Sequence, residues 1–216
     1  AGPKLLTAVQ RYMLFSGGGA MPPIWGLGVW YRAYIGDNQE QIMELADTLR
    51  QDRLPCDVFG LEPGWQTASY SCSHAFSPER FPAPAAMVKE MEEKGFRMNL
   101  WEHVFTHPTA AHYDALLPYS GDVQVWGGLV PDLTFPQARE IFGGYHEDTL
   151  VKMGIRGFKL DECDNSDFIA SPWSFPEYSQ FPSGMDGEQM HAMLGMLYER
   201  TMWDIFRKNN IRVYQQ

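Results

Sequence analysis

Cysteine is scarce. Cys56, Cys72 and Cys163 are the only three, and no two share a CxxC spacing. An odd count without paired spacing argues against a disulfide-stapled framework. It points to a reducing compartment such as the cytoplasm, with periplasmic or secreted settings left open. Positive charge is scarce as well. Seventeen Lys and Arg face 27 Asp and Glu, a net charge of −10, and no basic run occurs. That removes the electrostatic footprint of a nucleic-acid or anionic-membrane partner. No apolar stretch approaches the ~18 residues of a membrane-spanning helix. The first residues lack the charged, apolar and cleavage-site order of a secretory signal. No fixed-period repeat or low-complexity tract is present. What is plentiful is aromatic: 14% of the 216 residues, with seven Trp. Aromatic rings fill cores and also line sugar-binding clefts.

The chain alternates strand-like and helix-like segments. Residues 1–23 form a lead-in, with a short helix over roughly 4–15, the "SGGG" break and "MPP". The run "IWGLGVWY" (24–31) reads as the first strand. In 37–52, Ile42, Leu45, Ala46 and Leu49 make a helical stripe, and Asn38 with Gln41 fits a capping box. "CDVFGLE" (56–62) is a buried-strand run, and 84–95 is a helix opened by Pro and closed by Gly. "FRMNLWE" (96–102) is the third strand, 136–154 a helix despite an internal Gly pair, and "GFKLD" (157–161) the fourth strand. A helix over 188–209 precedes "IRVY" (211–214), the start of a fifth strand.

Such alternation implies parallel strands joined by right-handed helical crossovers. Loops after helices are short and loops after strands are long. The long ones carry the polar and aromatic residues, as on the active face of a (β/α)8 TIM barrel. A doubly wound open sheet shares the alternation. Against it, "YRAYIGDNQ" follows the first strand where a Gly-rich phosphate loop would stand. A whole barrel takes eight strands and typically ~250 residues. The expectation is an α/β fold in which 24–216 hold the N-terminal part of a barrel, about strands 1–5, within a larger enzyme.

Three strands end in an acid: Glu62, Glu102 and Asp161. Burying a carboxylate at a strand tip costs several kcal/mol unless partners or a task compensate. Carboxylates converging at a barrel mouth suit glycoside hydrolysis, where one attacks the anomeric carbon and another protonates the leaving oxygen. Trp65 and His103 share the same face and join the candidates. A structural ion pair is the competing reading for any one acid.

The stretches "CDVFGLEPGWQ", "FSPERFPAPAAMVKEMEEKGFRMNLW", "VPDLTFPQAREIF" and "GIRGFKLDE" together resemble glycoside hydrolase family 31. Similarity extends through the lead-in and through "GMDGEQMHAMLGMLYERT", in the family's order. The resemblance implies a retaining exo-α-glycosidase needing no cofactor, acting on non-reducing-end α-linked sugars. It makes Asp161 the nucleophile. Phe158 and Lys159 match the form common in the α-xylosidase branch, so a glucoside or xyloside is favoured and Lys159 is counted among substrate contacts. Glu62 occupies a sugar-binding position where Asp is usual, which keeps an α-galactosidase-type member as the alternative. Trp65 and Trp101 match walls of the pocket, and Trp126 a loop Trp of some members. Two departures stand out. "DECDNSD" (161–167) replaces the usual "DMNE" or "DFGE". The family's acid/base Asp follows strand five and has no counterpart up to Gln216. The remaining strands and flanking β-sandwich domains are likewise expected elsewhere in the full-length enzyme. Without that acid, a catalytically silent carbohydrate-binding homologue is the rival reading.

Metal binding is the weaker alternative. His103, His107 and His112 lie beside Glu102, but their spacing fits no zinc signature. "DECDNSD" lacks the glycine and distal glutamate of a calcium loop. No metal site is expected from these patterns.

Overall fold

The structure, a computed structural model, describes residues 3–19, 21–163 and 175–216. Asp164 and Asp167 of the atypical loop lie outside the described residues. The elements are α1 (Leu5–Phe15), β1 (Trp30–Arg32), α2 (Gln39–Gln51), β2 (Val58–Leu61), α3 (Pro84–Glu93), β3 (Arg97–Glu102), α4 (Tyr113–Leu116), α5 (Pro136–His146), β4 (Gly157–Leu160) and α6 (Gly187–Lys208). All strands are parallel, in the order β1-β2-β3-β4. Chain order equals sheet order, so each crossover places its helices on the same side, as in a barrel wall. Among the described residues, no helix is long and apolar enough to cross a membrane.

The helices start where their sequences dictate. Asn38 accepts from the Gln41 amide, while the Gln41 side chain accepts from the Asn38 amide. Asp186 and Gln189 repeat this capping box at α6. Proline opens α3 and α5, where its missing N–H costs nothing. Helix α2 buries Ile42, Ala46 and Leu49, and α6 buries Met190, Leu194, Leu197, Tyr198, Met202, Ile205 and Phe206. The expected 136–154 helix passes at Glu147–Val151 into a π turn. Helix α1 buries nothing; Leu5, Leu14 and Phe15 are 90%, 83% and 94% exposed.

Two expectations shift. The first strand is not 24–31: Ile24–Leu27 is a 3-10 turn and only Trp30–Arg32 pairs. Gly28 lies so close to Asp57 that an added Cβ would meet its carboxylate at 2.0 Å. Asp57 Oδ2 accepts the Val29 N–H at 2.9 Å. A side chain thus satisfies this backbone before the sheet does. The fifth strand does not form at 211–214 either. Pairing begins later: Gln216 N–H donates to Phe158 O (3.1 Å) and Leu160 N–H to Gln216 O (2.8 Å). These two bonds flank Lys159 as in a parallel ladder.

Side chains alternate across the strands. On β3, Asn99 and Trp101 face inward, while Met98, Leu100 and Glu102 face the helices. The register sets Arg32, Gly60, Asn99 and Gly157 side by side in one inner layer. At Gly60 a Cβ would meet Arg32 Nη1 at 2.6 Å and push the guanidinium aside. The guanidinium instead lies across the bare backbone and donates to Asn99 Oδ1 at 2.8 Å.

Candidate active site

Asp161 follows β4 by one residue and sits on the inner face. Its own N–H donates to Glu102 O at 2.9 Å, which continues the ladder past the strand end. Trp101 Nε1 donates to Asp161 Oδ2 at 2.7 Å, and Lys159 Nζ reaches the same oxygen at 2.9 Å. Among the described residues, Oδ1 receives only the Glu162 N–H, at 3.1 Å. The two oxygens are therefore unequal. Oδ2 is anchored by two donors, and Oδ1 keeps lone pairs for other work.

Burial is the largest influence on this carboxyl and opposes ionisation. The Lys159 and Trp101 hydrogen bonds, the Lys159 charge and the Glu162 N–H together outweigh it, and its pKa falls below the ordinary value. A depressed folded-state pKa favours the carboxylate. The ionised form is fully present above the unfolded value and lost only as pH falls through the lower folded one. We therefore expect Lys159→Gln to move the acid limb of a kcat/KM–pH profile to higher pH. An unmoved limb would show that Lys159 does not tune Asp161.

Glu62 follows β2 on the same inner face. Its carboxylate pairs with the Arg32 guanidinium, which also donates to Leu61 O at 3.1 Å. Both side chains stay about a quarter exposed, at 25% and 23%. Tyr70 covers the Trp101 indole with centroids 5.4 Å apart, and meets His103 at 5.6 Å and Trp126 at 5.1 Å. Partial burial, then the charges of Glu162 and Asp161, push its phenol up to about 12. Tyr70 is therefore a neutral donor at any working pH. The long segment after β3 is stitched back by Cys72–Phe105 and Thr106–Leu129 backbone bonds. This carries Trp126 to the rim, stacked on His103 at 5.1 Å.

Several expected contacts lie elsewhere. Glu102 ends β3 but has the outward parity. It is fully buried, accepts Tyr198 OH at 2.6 Å and meets His146 Nε2 at 3.2 Å. Its carboxylate faces the helices rather than a sugar. Trp65 is 1% exposed and donates its indole N–H to Trp101 O at 2.7 Å, so it braces the wall rather than forming it. His103 is also buried, enclosed by Trp101, Phe105 and Trp126. Burial drives its pKa down to about 3, so it is a neutral ring. His107 bonds Thr109 at 2.8 Å and His112 packs on Tyr145 at 4.3 Å, so these two do not converge with His103.

Sequence reasoning missed Arg32, Asn99 and Tyr70. Arg32 fell just outside the expected first strand. Asn99 is the period-two partner of Trp101, a signal that was available. Tyr70 sits in a loop and carries no periodic signal. Among the described residues, a hollow of about 660 Å³ lined by Met21, Trp203 and Tyr214 lies away from Asp161.

The profile of the "Glycosyl hydrolases family 31 TIM-barrel domain" matches residues 19–214. An alpha-xylosidase, XylQ, of Lactiplantibacillus pentosus is 22% identical over 224 residues, covering 96% of this chain and 28% of the xylosidase. A solved Flavobacterium johnsoniae dextranase of that family, complexed with glucose, superposes with TM-score 0.85 at 22% identity, over 99% of this chain and 28% of the dextranase. A Trueperella pyogenes cycloalternan-degrading enzyme in complex with covalent intermediate gives 0.77 at 20% identity, over 95% and 32%. The chain thus spans roughly three-tenths of the length of each of these relatives.

Proposed function

Because the chain belongs to glycosyl hydrolase family 31, we propose that it is the nucleophile-bearing part of a retaining exo-α-glycosidase acting on non-reducing-end α-linked glucosides or xylosides. Asp161 Oδ1 attacks the anomeric carbon as the glycosidic C–O bond breaks. The leaving oxygen takes a proton from an acid/base that we assign to no residue of this chain. Water, deprotonated by that same group, then releases the sugar from Asp161. The remaining strands and the flanking β-sandwich domains complete the site in the full-length enzyme.

One observation carries this reading: an inward carboxylate at a strand tip, held ionised with one oxygen anchored and the other available. Lys159 and Trp101 orient it, and Glu62 with Arg32 offers an acceptor and a donor to sugar hydroxyls. Tyr70 and Trp126 supply apolar faces at the rim. The covalent intermediate of the cycloalternan-degrading relative supports a covalent route.

The test is a mechanism-based glycosyl fluoride applied to the full-length enzyme, followed by peptide mass analysis. The label is expected on the peptide containing Asp161. Sugar binding without labelling would favour a silent binding homologue, and a label elsewhere would remove the assignment. On a panel of aryl α-glycosides, glucoside or xyloside should be cleaved ahead of galactoside.

A further inference from the structure

Behind the Trp101 wall, on the outer face of β3, lies a second polar cluster that the reaction does not use. His74 comes from the loop after β2, Glu102 from the end of β3 and His146 from the end of α5. All three are 0% exposed. One ligand atom from each lies within 4.8 Å of the other two.

Their hydrogen bonds fix which ring nitrogens keep lone pairs. His74 Nε2 lies 3.0 Å from the His103 carbonyl, and His146 Nδ1 lies 2.8 Å from the Phe142 carbonyl. A carbonyl only accepts, so these nitrogens carry the ring hydrogens. In neutral rings the lone pairs then sit on His74 Nδ1 and His146 Nε2. Among the described residues, the buried His74 Nδ1 has no hydrogen-bond partner. His146 Nε2 is 3.2 Å from Glu102 Oε2, and the other carboxylate oxygen accepts Tyr198 OH.

Two imidazole lone pairs and a carboxylate repel unless something positive lies between them. One proton serves the His146–Glu102 contact and leaves His74 Nδ1 orphaned, at a cost of about 1–3 kcal/mol. A divalent cation serves all three. We propose that His74, Glu102 and His146 bind a divalent metal ion of the zinc class in a structural role. Two imidazoles and one carboxylate form a donor set that suits zinc. Each histidine anchors its distal N–H on a backbone carbonyl, as metal-bound histidines do, and Tyr198 anchors the carboxylate in the same way. Phe142 and Phe158 wall the cluster, with centroids 4.4 and 5.8 Å from His146. The ion would tie the loop after β2 to β3 and α5. This inference does not rest on the glycosidase reading.

The test uses full-length enzyme purified without chelator. Elemental analysis should find about one zinc per chain. Stripping with a strong chelator should lower the melting temperature, and added Zn²⁺ should restore it. His74→Phe keeps the ring volume among its aromatic neighbours and should lose both the zinc and the Zn²⁺-dependent melting shift. Cobalt loaded into the stripped wild type should give visible d–d absorption that the variant lacks. Metal-free wild type whose melting ignores Zn²⁺ overturns the site. A His74→Phe protein that keeps its full zinc overturns the ligand set.

Discussion

Replacing Asp161 by Ala should lower the turnover of an α-linked glycoside by the full-length enzyme about 10⁴-fold or more, with kcat and kcat/KM falling together. An activated nucleophile has no substitute in the covalent step, and losses of that order follow when one is removed. The fold should survive. The side chain is 37% exposed, so its ion pair with Lys159 contributes at most about 1 kcal/mol, and water can take over the freed Trp101 N–H. The measurement is steady-state kinetics beside a denaturant midpoint. Turnover at the wild-type level would end the assignment. A small anion such as azide should partly restore reaction of the Ala variant by filling the vacated space. The product would then carry the azide on the sugar face opposite the original bond.

Trp65→Ala should destabilise the protein by about 3–5 kcal/mol, the usual cost of emptying a large aromatic site in a core. Trp65 is buried, packs on Phe76 at 4.8 Å and donates to Trp101 O. Trp65→Phe separates the two contributions. It keeps most of the packing and loses the N–H, for about 1–2 kcal/mol, because a buried carbonyl goes unpaired. Denaturant midpoints check both. A Trp65→Phe enzyme with an unchanged midpoint and a raised KM would restore Trp65 to the wall of the pocket.

That contrast shows what the residues disclose and what they conceal. The alternating elements, the Asn38–Gln41 capping box and the strand-tip position of Asp161 are local features, legible from a few neighbours each. Glu102 was misplaced for a physical reason. A strand buried on both faces has no hydropathy alternation, so the side each residue takes is invisible from polarity. Counting parity from Asn99 through Trp101 sends Glu102 to the helices. The burial of Trp65 and His103 depends on loops from distant parts of the chain closing over them. No local pattern encodes that. The shortened first strand was concealed in a similar way, since Asp57 satisfies the Val29 amide from 28 residues away.

Among the described residues, the inner face couples Arg32 with Glu62 and Lys159 with Asp161. On the proposed reading, an uncharged pyranose would exchange hydrogen bonds with these couples through its hydroxyls without displacing a counter-ion. A protonated imino sugar faces a different situation. Glu62 and Asp161 each already hold a fixed cation, so its extra charge gains less from these two than it would from unpaired carboxylates.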